Sequence, residues 1–348
     1  MGTIWFCLVA VMLAAYVVLD GFDIGAGIIH LFVSRTDEER RLVIRSIGPV
    51  WDGNEVWLLA GGGTLYFAFP ALYAASFSGF YLPLMMVLWL LIVRGTSVEF
   101  RSHVVSEIWT SFWDGLFALS GILLAVFYGA ALGNVVRGVP LDSAGHFFVP
   151  LWTNFLPGSN PGVLDWYTIL GGVAALGALA LHGALWVWLK TEGALSDRSR
   201  RAASAAWWVV ALLTIAITVA SFRVQPSLLA NFSQHAWGFV FPLLAIAGLF
   251  GMAWFLRTRN ERNAFLSSCA YLLGMLTSVA FSLYPRVLPA STKPAFALTV
   301  ENAKAPEHGL RVGVAWWLVG MALVAAYSIY SYRSFAGKVK LPTAEEGY

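Results

Sequence analysis

Long apolar stretches alternate with short polar segments along almost the whole chain. A helix needs about 20 mostly apolar residues to cross about 30 Å of hydrocarbon. Nine stretches satisfy this requirement: roughly residues 4–30, 50–69, 78–98, 112–134, 163–190, 204–222, 237–257, 264–284 and 312–333. The pattern predicts an all-α polytopic membrane protein. Because no basic residue precedes Arg35, we expect the first stretch to be retained as a helix and not removed as a signal peptide.

The distribution of basic residues predicts the orientation of these spans. Sixteen of the 22 lysines and arginines follow an odd-numbered span, and six follow an even-numbered one. Because cytoplasmic loops are enriched in Lys and Arg, we expect the N-terminus outside and the C-terminus in the cytoplasm. Two outer loops, about 135–162 and 285–311, are expected to form a small cap. Thr36 and Glu39 form a capping-box pattern that predicts a short interfacial helix before Pro49.

Composition excludes several classes of protein. Hydrophobic residues make up 59% of the 348 and charged residues 12%, with mean hydropathy +0.71, against about 45–50% and 25% in soluble domains. A soluble enzyme, a nucleic-acid-binding protein and a disordered chain are therefore excluded. The two cysteines, Cys7 and Cys269, are predicted on opposite sides of the membrane, so we expect no disulfide.

Charged residues inside predicted spans are candidates for function because burying them is costly. In the first span, Asp20 and Asp23 share a helical stripe with Gly27 and His30. Both aspartates lie in the predicted cytoplasmic half of this span. Four more acids lie at the predicted cytoplasmic ends of spans: Asp52, Glu55, Glu99 and Asp114.

Glycines beside these acids predict close helix packing. Gly21 and Gly25 are four residues apart on the first span, which allows another helix to approach the acidic stripe. The triplet Gly61-Gly62-Gly63 lies in the middle of the second span and has no lysine after it. We therefore interpret the triplet as a packing feature and not as a phosphate-binding loop.

Two interpretations of the acids are open. In the first, they form a relay that carries protons from the cytoplasm into the membrane, since burial disfavours the charged form of a carboxyl group. In the second, they pair with Arg94, Arg101 or backbone groups and only fix the packing of helices. The cost of burial favours function for Asp23 and Asp52. Pairing is favoured for the acids nearer the interface, Glu55 and Asp114. Neither interpretation is preferred for Asp20 and Glu99.

The histidines predict no haem site in this chain. Of six histidines only His30 and His182 lie in spans, and neither is repeated on its helix at the spacing that stacked bis-histidine haems require. We interpret His182 as a hydrogen-bonded interior histidine, with a place in the proton relay as the alternative. No metal ligands are predicted.

Several motifs resemble those of one family. Asp-Gly-Phe-Asp-Ile-Gly at 20–25 and Trp-Asp-Gly-Asn-Glu-Val-Trp-Leu at 51–58 are similar to motifs of subunit II of the cytochrome bd-type quinol oxidases. Glu-Phe-Arg at 99–101, Leu-His-Gly-Ala at 181–184 and Lys-Thr-Glu-Gly at 190–193 follow in the same order. The resemblance extends over essentially the whole chain.

The resemblance implies an architecture of two four-helix bundles plus one peripheral helix. The corresponding divisions are a first bundle at 1–134, an outer loop at 135–162, a second bundle at 163–284, an outer loop at 285–311, and a ninth helix with a cytoplasmic tail at 312–348.

The resemblance also implies a function. Such oxidases oxidise quinol and reduce oxygen to water, building a proton gradient without pumping. Two haems b and one haem d lie in subunit I, the expected heterodimer partner. Subunit II is then a non-haem chain that supports assembly and supplies a proton pathway, with no catalytic residue of its own. Asp23, Asp52 and Glu99 match the family's proposed pathway acids. The further candidates are Asp20, Glu55 and His182.

Two alternatives and several details are open from the sequence. A proton-coupled secondary transporter also suits buried acids, although no broken helix or inverted repeat is evident. A structural subunit with inert acids is the other alternative. Small single-span subunits, a bound quinone or lipid, and the type of quinol are not determined. The expected location is a bacterial or archaeal plasma membrane.

Overall fold

A computed structural model describes residues 1–159 and 161–340 of the chain. In this part of the chain, eight helices are long and apolar enough to cross a membrane. They are α1 (Gly2–Val33), α5 (Tyr81–Phe100), α6 (Glu107–Arg137), α7 (Trp166–Lys190), α8 (Gly193–Val224), α10 (Val240–Arg257), α11 (Glu261–Leu283) and α12 (Glu307–Ser334). Helix α10 is counted together with the short 3₁₀ turn Ala236–Phe239 that precedes it. The protein is thus an integral membrane protein built mainly of helices.

The remaining described helices are shorter or more polar. They are α2 (Asp37–Ile47), α3 (Trp51–Ala68), α4 (Pro70–Gly79) and α9 (Leu229–Gln234). Helix α3 matches the predicted second span, but its first two turns contain two acids and an asparagine, so it is less apolar than the eight. The count of nine spans stays a prediction.

Most long helices extend beyond the predicted spans. Helix α8 was predicted at 204–222 but begins at Gly193, because its arginine-rich first turns continue the helix past the apolar segment. The predicted connection between spans two and three contains α4, which begins with Pro70 at a position where proline is well tolerated.

Helix α1 lies at the centre of the molecule and packs against α3, α6, α7 and α11. Every residue from Asp20 to His30 is buried, so this half of α1 is enclosed on all sides. The crossing with α7 depends on two glycines. A Cβ on Gly25 would overlap the backbone of Leu179 and Gly183, and a Cβ on Gly183 would overlap the backbone of Gly25. The predicted close packing beside the acidic stripe is therefore confirmed.

The glycine triplet of α3 behaves differently from the prediction. A Cβ on Gly61 would lie 3.3 Å from Leu13 of α1, which is a close contact. Gly62 and Gly63 have no described atom within 4 Å of such a Cβ. The prediction that this triplet packs closely against another helix was therefore right for Gly61 and wrong, within the described chain, for its two neighbours, because these face away from α1.

Helix α2 is the predicted short helix and lies across one end of the molecule, here called the α2 end. Its N-cap is Thr36, whose hydroxyl accepts a hydrogen bond from the Glu39 N–H at 3.3 Å, while the Glu39 carboxylate bonds the Arg35 N–H. Burial opposes ionisation of Glu39, but the Arg35 N–H and the Arg198 guanidinium outweigh it and lower the pKa of Glu39. Helix α2 is thereby attached to α8.

Two connecting segments lie at the opposite end, residues 138–165 without residue 160 and residues 284–306, and the outer cap stays a prediction. Two short antiparallel strands, β1 (Arg286–Leu288) and β2 (Leu298–Thr299), lie in the second segment, with Arg286 opposite Thr299. The segments are joined through Val139, which donates its N–H to Pro289 O at 3.0 Å and accepts from Ser291 N–H at 2.8 Å. A buried ion pair between Arg137 and Asp165 joins α6 to the start of α7.

Replacing Gly183 tests the α1–α7 crossing. A Gly183→Ala substitution forces the two backbones apart, and overpacking of this kind typically costs about 1–3 kcal/mol. We expect a lower melting temperature of the purified protein, measured by thermal unfolding in detergent. Gly115→Ala on α6 is the matched control, because a Cβ there meets nothing within 4 Å. Equal melting temperatures for the two variants would contradict the proposed constraint.

Candidate functional site

Acids from two helices meet one arginine inside the helix bundle. Arg94 of α5 donates from Nη1 to Asp20 Oδ1 of α1 at 2.6 Å and from Nη2 to Glu55 Oε2 of α3 at 2.8 Å. Asp20 is fully buried, Arg94 is 1% exposed, and Glu55 is half-buried. The pairing of span acids with Arg94, which the sequence left as one of two interpretations, is therefore present for Asp20 and Glu55.

Asp23 lies beside this ion pair without a cation of its own. Asn54 of α3 donates from Nδ2 to Asp23 Oδ2 at 2.7 Å, and no described Lys, Arg or His forms an ion pair with Asp23. We define the acidic cluster as Asp20, Asp23, Asn54, Glu55 and Arg94. It contains three carboxyl groups and a single guanidinium, which bonds two of them.

Three buried polar atoms of the acidic cluster have no hydrogen-bond partner among the described residues: Asp20 Oδ2, Asp23 Oδ1 and Arg94 Nε. Buried polar groups in folded proteins are nearly always hydrogen-bonded to protein or ordered water. Because three such atoms fall in one cluster, the site has hydrogen-bonding capacity that no described residue uses.

Asp52 and Glu99 lie at the surface of the chain, outside the acidic cluster. Asp52 is in the first turn of α3 and Glu99 in the last turn of α5, so both are at the α2 end. Both are exposed, and neither carboxylate forms a hydrogen bond or ion pair with a described residue. Asp52 is one helical turn from Glu55, so it is the exposed acid nearest to the acidic cluster along α3.

His182 of α7 belongs to a different contact, away from the acidic cluster. Its Nε2 lies 2.9 Å from Val18 O of α1, and its Nδ1 lies 2.7 Å from Ser268 Oγ of α11. A carbonyl oxygen only accepts, so Nε2 carries the proton that is donated to Val18. The described contacts fit the interpretation of a hydrogen-bonded interior histidine, and none runs to the acids.

A second set of charges lies closer to the α2 end. Arg101 binds Asp114 with two hydrogen bonds, from Nε at 2.5 Å and from Nη2 at 3.0 Å. Arg40 Nη1 and His30 Nε2 complete the shell of Asp114 at 3.2 and 2.7 Å. Both oxygens of Asp114 are bonded, and Arg101 also pairs with Asp37 at 2.7 Å. This arrangement agrees with the structural role favoured for Asp114.

The described residues do not fit a haem or metal site. Protein atoms form hydrogen bonds with both ring nitrogens of His182, and Asp114 forms one with His30 Nε2. These two buried histidines therefore do not form a pair of free axial ligands for a haem. Within the described ranges, no group of three His, Cys, Asp or Glu side chains is arranged to hold a metal ion.

Two residues of the site are not predicted from the sequence. Asn54 lies in the motif that carries Asp52 and Glu55, but we assigned it no role. Tyr332 of α12 donates its hydroxyl to Asn54 Oδ1 at 2.8 Å, and its position late in the chain gave no signal. The position of Asn54 between two acids of one short motif is a signal that could have marked it as a site residue. No such signal exists for Tyr332, which only the structure places in the site.

Sequence comparisons relate this chain to one family. A family model described as cytochrome bd terminal oxidase subunit II matches residues 1–335. Cytochrome bd ubiquinol oxidase subunit 2 of Bacillus subtilis is 31% identical, and the match covers 97% of this chain and 96% of that protein. A probable cytochrome oxidase subunit 2 of Haemophilus influenzae is 32% identical, covering 97% and 94%. Cytochrome bd-I ubiquinol oxidase subunit 2 of Escherichia coli is 30% identical, with the same coverage.

A structural comparison gives the same fold. The solved structure of bd oxidase from Geobacillus thermodenitrificans contains a chain that matches with a TM-score of 0.70. The match covers 96% of this chain and 98% of that chain at 17% identity.

Removing the arginine of the acidic cluster tests its energetic role. Arg94→Met leaves Asp20 and Glu55 without their cation, and breaking a buried ion pair in this way typically costs about 3–5 kcal/mol. We expect a large loss of thermal stability in the purified protein. Adding Asp20→Asn to this variant should recover part of the loss, because it removes one uncompensated charge.

Arg41→Met is the matched control for this experiment. Arg41 pairs with Asp37 on the surface of α2, and both side chains are about half exposed. Such surface changes are usually within about 0.5 kcal/mol. If Arg94→Met were as stable as Arg41→Met, the ion pair would not hold the cluster together.

Proposed function

Because the chain belongs to the cytochrome bd terminal oxidase subunit II family, and is a subunit of a quinol oxidase complex, we propose that it supplies a proton-uptake path to that complex. The haems at which oxygen is reduced to water belong to the partner, subunit I, and this chain supports the partner's assembly. The candidate site and the geometry around it are the basis for this proposal.

The charge imbalance of the acidic cluster carries the proposal. The cluster contains three carboxyl groups and one guanidinium, which pairs with two of them, so its net charge is −2 when all three acids are ionised. Uncompensated charge is costly at a buried site in a membrane protein. Binding and releasing protons is the simplest way for this cluster to change its charge, and the unpartnered oxygens of Asp20 and Asp23 are available to accept them.

The path begins at the exposed acids of the α2 end. Asp52 and Glu99 collect protons at the surface, and Glu55 lies one helical turn farther along α3. Glu55 is half-buried and bonded to Arg94, so it connects the surface to Asp20. Asp23 lies one turn of α1 from Asp20, on the side nearer the α2 end, and takes part in the path beside it. His182 has no described hydrogen bond to these acids and is left out of the proposed path.

The proposed direction of transfer follows from the distribution of basic residues. With the α2 end in the cytoplasm of a bacterium, protons consumed at the haems come from the inner side of the plasma membrane. If quinol releases its protons on the outer side, turnover builds a proton gradient without a pumping step.

We place the partner subunit against the outer faces of α3 and α5. These faces present large apolar side chains, including Leu59 at 73% and Trp89 at 62% exposure. The two exposed acids of the path, Asp52 and Glu99, are on the same two helices. A partner bound here would cover the apolar surface and bring its own groups beside the acids, which gives protons a route between the two chains.

Neutralising Asp52 tests the path. In the purified complex, Asp52→Asn should slow quinol-driven oxygen consumption on the order of tenfold. This is less than the roughly 100-fold typical of a lost acid–base group in an active site, because water still reaches Glu55. The haem spectrum and the assembly of the complex should be unchanged, since Asp52 forms no hydrogen bond or ion pair with a described side chain.

Asp197→Asn is the matched control, because Asp197 is an exposed aspartate without a described ion pair at the start of α8. We expect this variant to turn over at the wild-type rate. Wild-type turnover in an assembled Asp52→Asn complex would instead support the alternative of an inert, purely structural acid.

A further inference from the structure

A chain of hydrogen bonds joins the C-terminal helix to Asp23. Tyr332 of α12 lies 2.8 Å from Asn54 Oδ1, and Asn54 Nδ2 of α3 lies 2.7 Å from Asp23 Oδ2 of α1. The second contact of Nδ2 is Leu19 O of α1 at 3.1 Å. Asn54 and Asp23 are 3% and 1% exposed. Three helices are thus connected through one buried amide.

The chemistry of these groups fixes the direction of every bond in the chain. Leu19 O can only accept, so the Asn54 atom facing it must be the NH₂ group. Oδ1 therefore faces Tyr332, whose hydroxyl must be the donor. Both hydrogens of Nδ2 are used, one by Leu19 O and one by Asp23 Oδ2.

This direction distinguishes the two oxygens of Asp23. Oδ2 already accepts the Asn54 N–H, so a proton on this oxygen would weaken that bond. Oδ1 is buried and has no partner among the described residues. A proton taken up by Asp23 therefore binds Oδ1, and its release restores the carboxylate with the Asn54 bond intact.

The position of Tyr332 is itself held by the end of α12. Most of α12 is exposed, and Leu310 is its one buried residue in the described range. Just beyond the helix, Phe335 O accepts from Lys190 Nζ at 2.6 Å, and Val339 donates its N–H to Lys190 O at 2.8 Å. Lys338 pairs with Glu261 of α11. These contacts fix the end of α12 against α7 and α11, where Tyr332 reaches inward.

We propose that Tyr332 and Asn54 are positioning residues that hold Asp23 so that it exchanges protons through Oδ1 alone. This inference rests on the proposed proton path, in which Asp23 takes part. Tyr332 acts through Asn54, which in turn orients the carboxyl group. The peripheral helix thereby becomes part of the site.

Other titratable groups surround Asp23 and contribute to any pH dependence. Asp20, Glu55 and Arg94 act on Asp23 directly and Tyr332 acts through Asn54, while Tyr128, His182 and Cys269 enter through their interactions with Asp20, Val18 and Tyr332. Because Tyr332→Phe removes one hydroxyl and leaves the other six groups in place, a change in this variant reports on the hydrogen-bond chain.

The experiment uses the purified complex with Tyr332→Phe and measures turnover against pH. Losing the Tyr332 hydroxyl frees the Asn54 amide to rotate and weakens its bond to ionised Asp23. We expect the midpoint of the pH profile to move to higher pH by about half a unit to one unit, the size of one hydrogen bond. Infrared difference spectra should show the carboxyl band that Asp23→Asn removes, displaced in Tyr332→Phe.

Tyr330→Phe is the matched control on the same helix, because Tyr330 is 73% exposed and its hydroxyl has no described partner. It should keep the wild-type pH profile and carboxyl band. An unchanged profile and band in Tyr332→Phe would overturn the inference. If that variant does not assemble, Asn54→Ser breaks the same chain and should move the profile in the same direction; a wild-type profile in Asn54→Ser would also overturn it.

Failure of the underlying proton path gives a different result. In that case Asp23→Asn itself would turn over at the wild-type rate, whatever the behaviour of Tyr332→Phe. Slow turnover in Asp23→Asn together with a wild-type Tyr332→Phe profile would remove only the positioning role.

Discussion

One buried guanidinium among three carboxyl groups is the constraint on which the site depends. Arg94 reaches from α5 to Asp20 on α1 and Glu55 on α3, so a single side chain fixes the relation of three helices. In a medium of low dielectric constant the attraction within such pairs is strong, and any charge without a partner is costly. Because the one cation is shared by Asp20 and Glu55, Asp23 is left with only a neutral donor, Asn54.

The close crossing of α1 and α7 makes this burial possible. Gly25 and Gly183 bring the two backbones into contact on the side of α1 opposite Asn54. Helix α7 thus covers one side of α1 while α3 and α5 supply the polar groups on another. The enclosure of residues 20–30 follows from this packing, and it keeps both aspartates away from lipid. The glycines and the acids of this segment therefore act together.

The sequence predicted the positions of the helices well but predicted their partners poorly. Apolar length determines where a span lies, and the acidic stripe of α1 with its flanking glycines was recognisable from spacing alone. Which side chain faces which depends on how the helices rotate about their axes, and spacing within one helix does not contain that information. Asp20 and Asp23 share a stripe, yet one binds Arg94 and the other Asn54. Tyr332 is 278 positions from Asn54 in the chain, so no local pattern could relate them.

The two charged clusters along α1 differ in how many partners surround each buried acid. Asp114 has both oxygens bonded, by two arginines and a histidine, and has no unpartnered oxygen left to accept a proton. Asp23 has one neutral donor and one oxygen without a described partner. His30, which binds Asp114, is seven residues from Asp23, about 10 Å along the helix at 1.5 Å per residue. The same helix thus carries a closed ion-pair network near the α2 end and an open one deeper inside. Burial is common to Asp23 and Asp114; what distinguishes them is the number of cations and donors around each acid.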